Sequence, residues 1–199
     1  MTDEQSAIGR RSKRKGKAYE ARVAKLWSDF TGENFRRVPS SGGFNKFGGL
    51  VVATQIFTGD VFSNNPNFIF SVEAKNRQDI SLTALLKNPP TATITSYWYQ
   101  CVEDARNNKK KPIMFFKPNM YDDWICLDYN DLEFLGLSNS IRMDFKLYGD
   151  ETILTVINRN ERGKKTSKER KSVKLPNFSI MDWKEFIKHV KPANLFENT

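Results

Sequence analysis

The sequence predicts an α/β fold of the α+β kind, a mixed β-sheet with helices packed against it. Three observations carry this. Apolar residues recur at helical spacing over two long segments, roughly 15–30 and 95–108. Short runs rich in Phe, Ile and Val, bounded by Gly, Pro, Asn and Asp, fall between and after them. The order is helix, strand group, helix, two strands, which layers helices against one sheet.

Residues 1–13 are polar and read as a flexible basic arm. The first helix, over 15–30, is supported by Ala18, Tyr19, Arg22, Val23, Leu26, Trp27 and Phe30, and Thr31-Gly32 ends it. Residues 35–38 form a short strand and Pro39-Ser40-Ser41-Gly42-Gly43 a loop. Residues 50–57 are a strand or the end of that loop. Two short paired strands follow around Asp60 and Glu73, turning at Asn64-Asn65-Pro66-Asn67. Residues 79–82 open a short helix or loop that stops before Asn88-Pro89-Pro90. After the second long helix come neighbouring buried strands at 111–117 and 123–128 and a small helix at 131–135. A hairpin of 141–147 with 152–157 and a last amphipathic helix over 179–190 complete the chain. The expected division is an arm at 1–13, a core at 14–138 and a hairpin/helix extension at 139–199 that holds a basic segment, 162–174.

The 199 residues suffice for one domain with a proper core, and 13% aromatic content argues against disorder. No run approaches the ~18 apolar residues of a membrane span. The first 30 residues carry Arg10-Arg11-Ser12-Lys13-Arg14-Lys15-Gly16-Lys17 where a signal peptide has its apolar centre. Cys101 and Cys126 lie in apolar-periodic segments and read as reduced core residues of a cytoplasmic protein, in the host cytoplasm if the source is viral. With two Cys and one His, a Cys/His metal cluster is excluded. No membrane and no organic cofactor are expected. Net charge is +9, and the excess clusters at 10–17 and at Arg162, Lys164, Lys165, Lys168, Arg170, Lys171 and Lys174. Clustered basic charge is the footprint of a polyanion, most often nucleic acid.

The chemistry concentrates in Gly59-Asp60-Val61 and Glu73-Ala74-Lys75. Glu73 and Lys75 are two apart on a strand, so they leave the same face of the sheet. Lys75 ends a run of Phe, Ile, Phe and Val, an unusual place for a surface lysine. Glu-x-Lys alone is commonly just an exposed charge pair; the basic clusters on either side give it weight here. Two carboxylates and a lysine suit metal-assisted phosphodiester hydrolysis. The carboxylates hold Mg²⁺, with Mn²⁺ as substitute, and the lysine meets charge on the attacking water or the phosphate. Ser40 and Ser41 sit in a glycine-flanked loop that allows close approach to a phosphate, or are ordinary turn residues. Asn76 and Arg77 follow Lys75 directly and are phosphate-contact candidates, as are Lys15, Lys17, Arg37, Lys164, Lys165, Lys168, Arg170 and Lys171.

In this order the residues resemble the PD-(D/E)XK nuclease superfamily, and within it the archaeal-type and phage Holliday junction resolvases. The family opens with a basic, glycine-containing segment and a helix carrying a glutamate, as in Lys15-Gly16-Lys17-Ala18-Tyr19-Glu20. A strand and serine-glycine loop follow, as in residues 37–43, then the aspartate and Glu-x-Lys. A helix with a glutamine, here Gln100, and a buried strand ending in Lys117 come last. Gly59 stands where the superfamily's eponymous proline stands, and the segment from about 140 has no counterpart in the minimal resolvases. The resemblance spans about 14–130 and implies a restriction-endonuclease-like fold. It also implies Glu20 as a further site carboxylate, the Ala74 carbonyl as a further metal ligand, and 5′-phosphate and 3′-hydroxyl products. The expected function is a metal-dependent endonuclease on branched DNA, acting as a homodimer. The rivals are a restriction-type enzyme, a flap or fork nuclease, and a DNA-binding protein of this fold without chemistry.

Overall fold

The structure is a computed structural model that describes residues 3–38, 59–118, 121–147, 152–159 and 165–197. The expectations for Ser40, Ser41, Lys164 and the 50–57 strand lie outside these residues. Helix α1 spans Asp3–Thr31, so it begins well before the apolar spacing does. Residues 3–13 contain no proline and several good helix formers, and they continue the helix where a flexible arm was expected. Its inward stripe is Tyr19, Val23 and Trp27, all buried. Gly32, at φ +77, ends it by donating its amide to the Ser28 carbonyl at 3.0 Å.

Next come β1 (Phe35–Arg37), β2 (Val61–Ser63) and β3 (Phe70–Lys75). Helices α2 (Leu82–Lys87) and α3 (Thr93–Asn107) precede β4 (Lys111–Phe116) and β5 (Trp124–Asp128). The Ser81 side chain caps α2 by accepting from the Ala84 amide. The chain continues through β6 (Met143–Phe145), β7 (Thr152–Arg159), β8 (Lys165–Val173), β9 (Phe178–Asp182) and α4 (Trp183–His189).

Among the described residues the main sheet has seven strands in the order β1-β2-β3-β4-β5-β9-β6. β3 and β4 run parallel, with Phe70 opposite Lys111 and Lys75 opposite Phe116, and the other pairs are antiparallel. This mixed sheet with helices on both faces is the α+β, restriction-endonuclease-like architecture that the sequence predicts. Alternation along the strands splits the core in two. Phe70, Val72, Ala74, Ile113 and Phe115 join Trp27, Trp183 and Phe186 on the α1/α4 face. Met114 and Phe116 join Trp98, Cys101 and Cys126 on the α3 face. Both cysteines are free and buried.

Two pairings differ from expectation. Residues 141–147 do not form a hairpin with 152–157: β6 pairs with β9, and β7 pairs with β8. Phe145 is buried and stacks on Phe178 at 5.3 Å between ring centroids, which ties β6 to the main sheet. The basic segment thus supplies a strand, β8, that places Lys165, Lys168, Arg170 and Lys171 in a two-stranded ribbon. The helix expected over 179–190 starts only at Trp183. The run Phe178-Ser179-Ile180-Met181 is fully buried between β5 and β6, and the Asp182 side chain caps α4 by accepting from the Lys184 amide at 2.7 Å. β6 and β9, both from beyond residue 138, thus complete the central sheet, while β7 and β8 form a ribbon of their own.

Candidate active site

The site forms where β3 leaves the sheet, between α1 and α3. The turn ahead of β2 brings Asp60 to it. Gly59 has φ +71, and a Cβ there would lie 2.8 Å from the Val72 carbonyl carbon. Only glycine fits that approach. It lets the Asp60 amide donate to the Val72 carbonyl at 2.7 Å and the Val38 amide donate to the Asp60 carbonyl at 2.9 Å. The Asp60 side chain is fixed in turn, with Oδ2 accepting from the Ala74 amide at 3.0 Å.

On β3, Ser71, Glu73 and Lys75 point to the α3 face. Glu73 is buried at 5% exposure and its Oε1 accepts from the Lys75 ammonium. Lys75 also donates to Gln100 Oε1 at 3.3 Å, from the exposed surface of α3. The Tyr97 ring, one helical turn away, lies 5.4 Å beneath the Lys75 Nζ. Tyr97 is tethered by its hydroxyl, which donates to Asp79 Oδ2 at 3.1 Å. Lys75 is thus held from three sides. Across the cleft, Arg37 holds Glu20, its Nη1 donating to Oε2 at 3.4 Å.

The electrostatics follow from this crowding. Burial and then the Asp60 charge push the Glu73 carboxyl up to about 7, although Lys75 opposes the shift. Burial pulls the Lys75 ammonium down, but Glu73 and Asp60 outweigh it and its pKa is raised. Burial and Asp60 likewise raise Glu20 against the pull of Arg37 and Lys17. Asp104, one turn beyond Gln100 on α3, is raised by burial and by Asp60, with Lys75 opposing.

A cleft of about 860 Å³ opens over these groups, lined by Arg11, Ser12, Lys15, Glu20, Asp60, Ala74, Lys75, Asn76, Arg77 and Asp79, among others. Of the residues singled out in the sequence, Lys15, Glu20, Asp60, Ala74, Lys75, Asn76 and Arg77 meet there. Glu73 and Gln100 stand behind Lys75, and Lys17 and Arg37 act on Glu20. Lys165, Lys168, Arg170 and Lys171 belong to the β7–β8 ribbon. Sequence reasoning missed Tyr97, Asp79 and Asp104. Asp104 and Tyr97 sit at helical offsets from Gln100, the only signal that points to them.

Among the described residues, no group of three or more His, Cys, Asp or Glu side chains stands close enough to hold a metal ion by itself. The donor set nonetheless fits a hydrated hard cation. Asp60 raises the proton affinity of Glu20, Glu73 and Asp104 together, an accumulation of negative charge that a cation relieves. Mg²⁺ keeps several waters and takes only one or two carboxylates, which Asp60 and Glu73 can offer with the Ala74 carbonyl beside them.

Residues 11–194 match the family described as "Phage putative PDDEXK endonuclease", and the chain belongs to that family of the PD-(D/E)XK nuclease superfamily. It is also similar to "Protein D14" of Escherichia phage T5, at 28% identity over 123 residues, covering 60% of this chain and 72% of the relative. No solved structure matches it.

Proposed function

We propose that the chain is a Mg²⁺-dependent endodeoxyribonuclease that cuts branched DNA, with the Holliday junction as its preferred substrate. The observation that carries the catalytic part is Lys75, held by Glu73, Gln100 and Tyr97 at the wall of a cleft that also contains Asp60 and Glu20. Asp60, Glu73 and the Ala74 carbonyl are the metal ligands in this reading, with Glu20 as a further carboxylate. When bound, Mg²⁺ supplies Lewis acidity toward the phosphate and the attacking water.

The protein groups do the rest. The Lys75 ammonium orients the water and faces the charge that develops on the phosphate. Gln100 and Tyr97 keep it there, so little reorganisation is needed as charge builds. Water adds to phosphorus and gives up a proton, the P–O3′ bond breaks, and the leaving 3′ oxygen takes up a proton from solvent, so the products carry 5′-phosphate and 3′-hydroxyl ends. Asn76 and Arg77 border the cleft as phosphate contacts and Lys15 lines it from α1, and in this reading Lys17 and the basic residues of β8 are further phosphate contacts. Buried Glu73 beside an intact Lys75 speaks for chemistry over a binding-only role.

The preference for branched DNA rests on the motif order shared with resolvases and on the basic excess. A homodimer acting in the host cytoplasm fits two symmetric cuts across a junction. The test is cleavage of four-way junction, flap and linear duplex with Mg²⁺ or EDTA, with unlabelled duplex as competitor for labelled junction. The expected result is Mg²⁺-dependent cutting of the junction that excess duplex does not suppress. Equal competition with cutting at a defined sequence makes the enzyme restriction-type, and no cleavage of any DNA leaves a binding protein.

A further inference from the structure

A second, smaller pocket adjoins the catalytic cleft. Its volume is about 310 Å³, and it is lined by Lys15, Ala18, Tyr19, Arg22, Asn76, Lys117 and Pro118. Lys15 and Asn76 line both spaces, so the two are direct neighbours. The pocket has a definite construction. Lys15, Ala18, Tyr19 and Arg22 follow the i, i+3, i+4, i+7 spacing of one face of α1. Glu20 turns to the neighbouring face and the catalytic cleft. Asn76 and Lys117 leave the ends of the parallel strands β3 and β4, and the Lys117 amide donates to the Lys75 carbonyl at 3.2 Å. Neighbouring strands are about 4.8 Å apart, so the pocket lies one or two strand spacings from the Asp60 side of β3.

Three of the lining groups are cations and none is an acid. Arg22 is exposed but ion-paired. Its Nε at 2.9 Å and its Nη2 at 2.6 Å both donate to Asp123 Oδ2, and that carboxylate is almost wholly buried. Asp123 holds the guanidinium in one orientation and leaves the Nη1 donors unused by that contact. Asp123 is anchored through its backbone as well, since its carbonyl accepts from the Trp183 amide at 2.9 Å. Its charge offsets one of the three cations from behind, so the pocket stays positive. A guanidinium held by Asp123 and flanked by two ammonium groups and an amide side chain, next to a nuclease cleft, suits a tetrahedral oxyanion.

We infer that this pocket takes the backbone phosphodiester next to the one being cut, its oxygens received by Arg22, Lys117 and Lys15. The inference rests on the nuclease reading and deepens it. The pocket sets the register of the strand, so that the neighbouring linkage comes to Asp60 and Lys75. Asp123 is a positioning residue acting through Arg22.

The test uses junction strands that each carry one uncharged methylphosphonate linkage, moved stepwise through the cut site. Binding is measured in EDTA and cleavage in Mg²⁺. One linkage beside the scissile position is expected to weaken wild-type binding roughly ten-fold, the worth of a charge-assisted hydrogen bond. Lys117→Ala, which leaves the Arg22–Asp123 pair intact, is expected to bind normal DNA more weakly and to become less sensitive to that linkage alone. Arg22→Ala with Lys117→Ala is expected to be less sensitive still, since Lys15 is then the one lining cation left. A Lys117→Ala protein as sensitive as wild type at every linkage overturns the assignment.

Because binding is read without metal, a chain that shows the linkage effect but never cuts upholds the pocket and sinks the nuclease. One that cuts without any linkage effect sinks the pocket alone. The same cation set can take a terminal phosphate, so nicked strands ending in 5′-phosphate or 5′-hydroxyl are compared. Tightening only for the phosphorylated end reassigns the pocket to strand ends and overturns the diester assignment.

Discussion

The Ala74 amide donates to the Asp60 side chain, so the strand that carries Glu73 and Lys75 also orients the carboxylate facing them. Three residues far apart in type thus share one rigid frame, set by the backbone of β3. Asparagine at position 60 keeps an oxygen for that amide and loses only the charge. Asp60→Asn is therefore expected to fold and bind junction DNA like wild type while losing cleavage by at least roughly 100-fold, more than outer-sphere changes at metal sites usually cost. Cleavage under saturating Mg²⁺ with a parallel binding titration checks this. Full activity removes Asp60 from the metal site.

Glu73 makes the metal-free protein sensitive to pH, and the sign can be worked out. Its ordinary value is 4.5 and the folded value is about 7. Below 4.5 both folded and unfolded states hold the proton. Between 4.5 and 7 only the folded state holds it, and above 7 the folded state buries the charge. Stability from this group is therefore greatest at acid pH and falls as pH rises through that window. Glu73→Gln, which mimics the protonated form, is expected to melt above wild type at pH 8 in EDTA, with the gap closing by pH 5. It is also expected to be inactive. A melting curve that ignores pH, or a gap that widens toward acid, refutes the burial argument.

Lys75 is expected to act mainly in the transition state. Lys75→Ala should lose single-turnover rate much more than affinity for DNA. Equal loss of binding with an unchanged single-turnover rate would reduce it to a phosphate contact.

Gly59 stands where the superfamily carries proline, and here the exchange is obligatory. Proline fixes φ near −65°, whereas this backbone sits at +71. Gly59→Ala meets the Val72 carbonyl and is expected to cost about 1–3 kcal/mol, the usual range for enforced strain. Gly59→Pro is expected to cost more and to displace Asp60. Thermal melts and cleavage of the two variants test this, and a proline variant with wild-type stability contradicts it.

The β8 strand offers a salt test. Replacing Lys168, Arg170 and Lys171 by Gln is expected to weaken DNA binding and to lower the slope of log K against log salt by about 0.9 for each phosphate contact removed. An unchanged slope puts the phosphate track elsewhere.

The strands and helices around the motif were legible because their signals are local. Alternation placed Glu73 and Lys75 on one face, and helical spacing found α1 and α3. The strand order was not legible. Phe178-Ser179-Ile180-Met181 fits a helix or a buried strand equally by pattern, and only its insertion between β5 and β6 decides. Basic β8 carries no apolar alternation, so its pairing with β7 left no trace in the sequence. At the site, Glu20 needed the family resemblance, since an exposed helical glutamate looks the same. Tyr97 and Asp104 are brought to Lys75 by the packing of α3 on β3, a relation between elements distant in the chain.

The place of β9 has a consequence for how the enzyme comes into being. β5 is finished by residue 128 and pairs with β4, but its other edge is covered only by Phe178–Asp182, and Trp183 and Phe186 pack on Trp27. Such long-range pairing is slow and leaves an open strand edge in the meantime. The sheet that carries the Asp60–Glu73–Lys75 motif is therefore expected to close only once residues 178–186 are available, so truncation before Phe178 is expected to leave β5 with an open edge and Trp27 without Trp183 and Phe186.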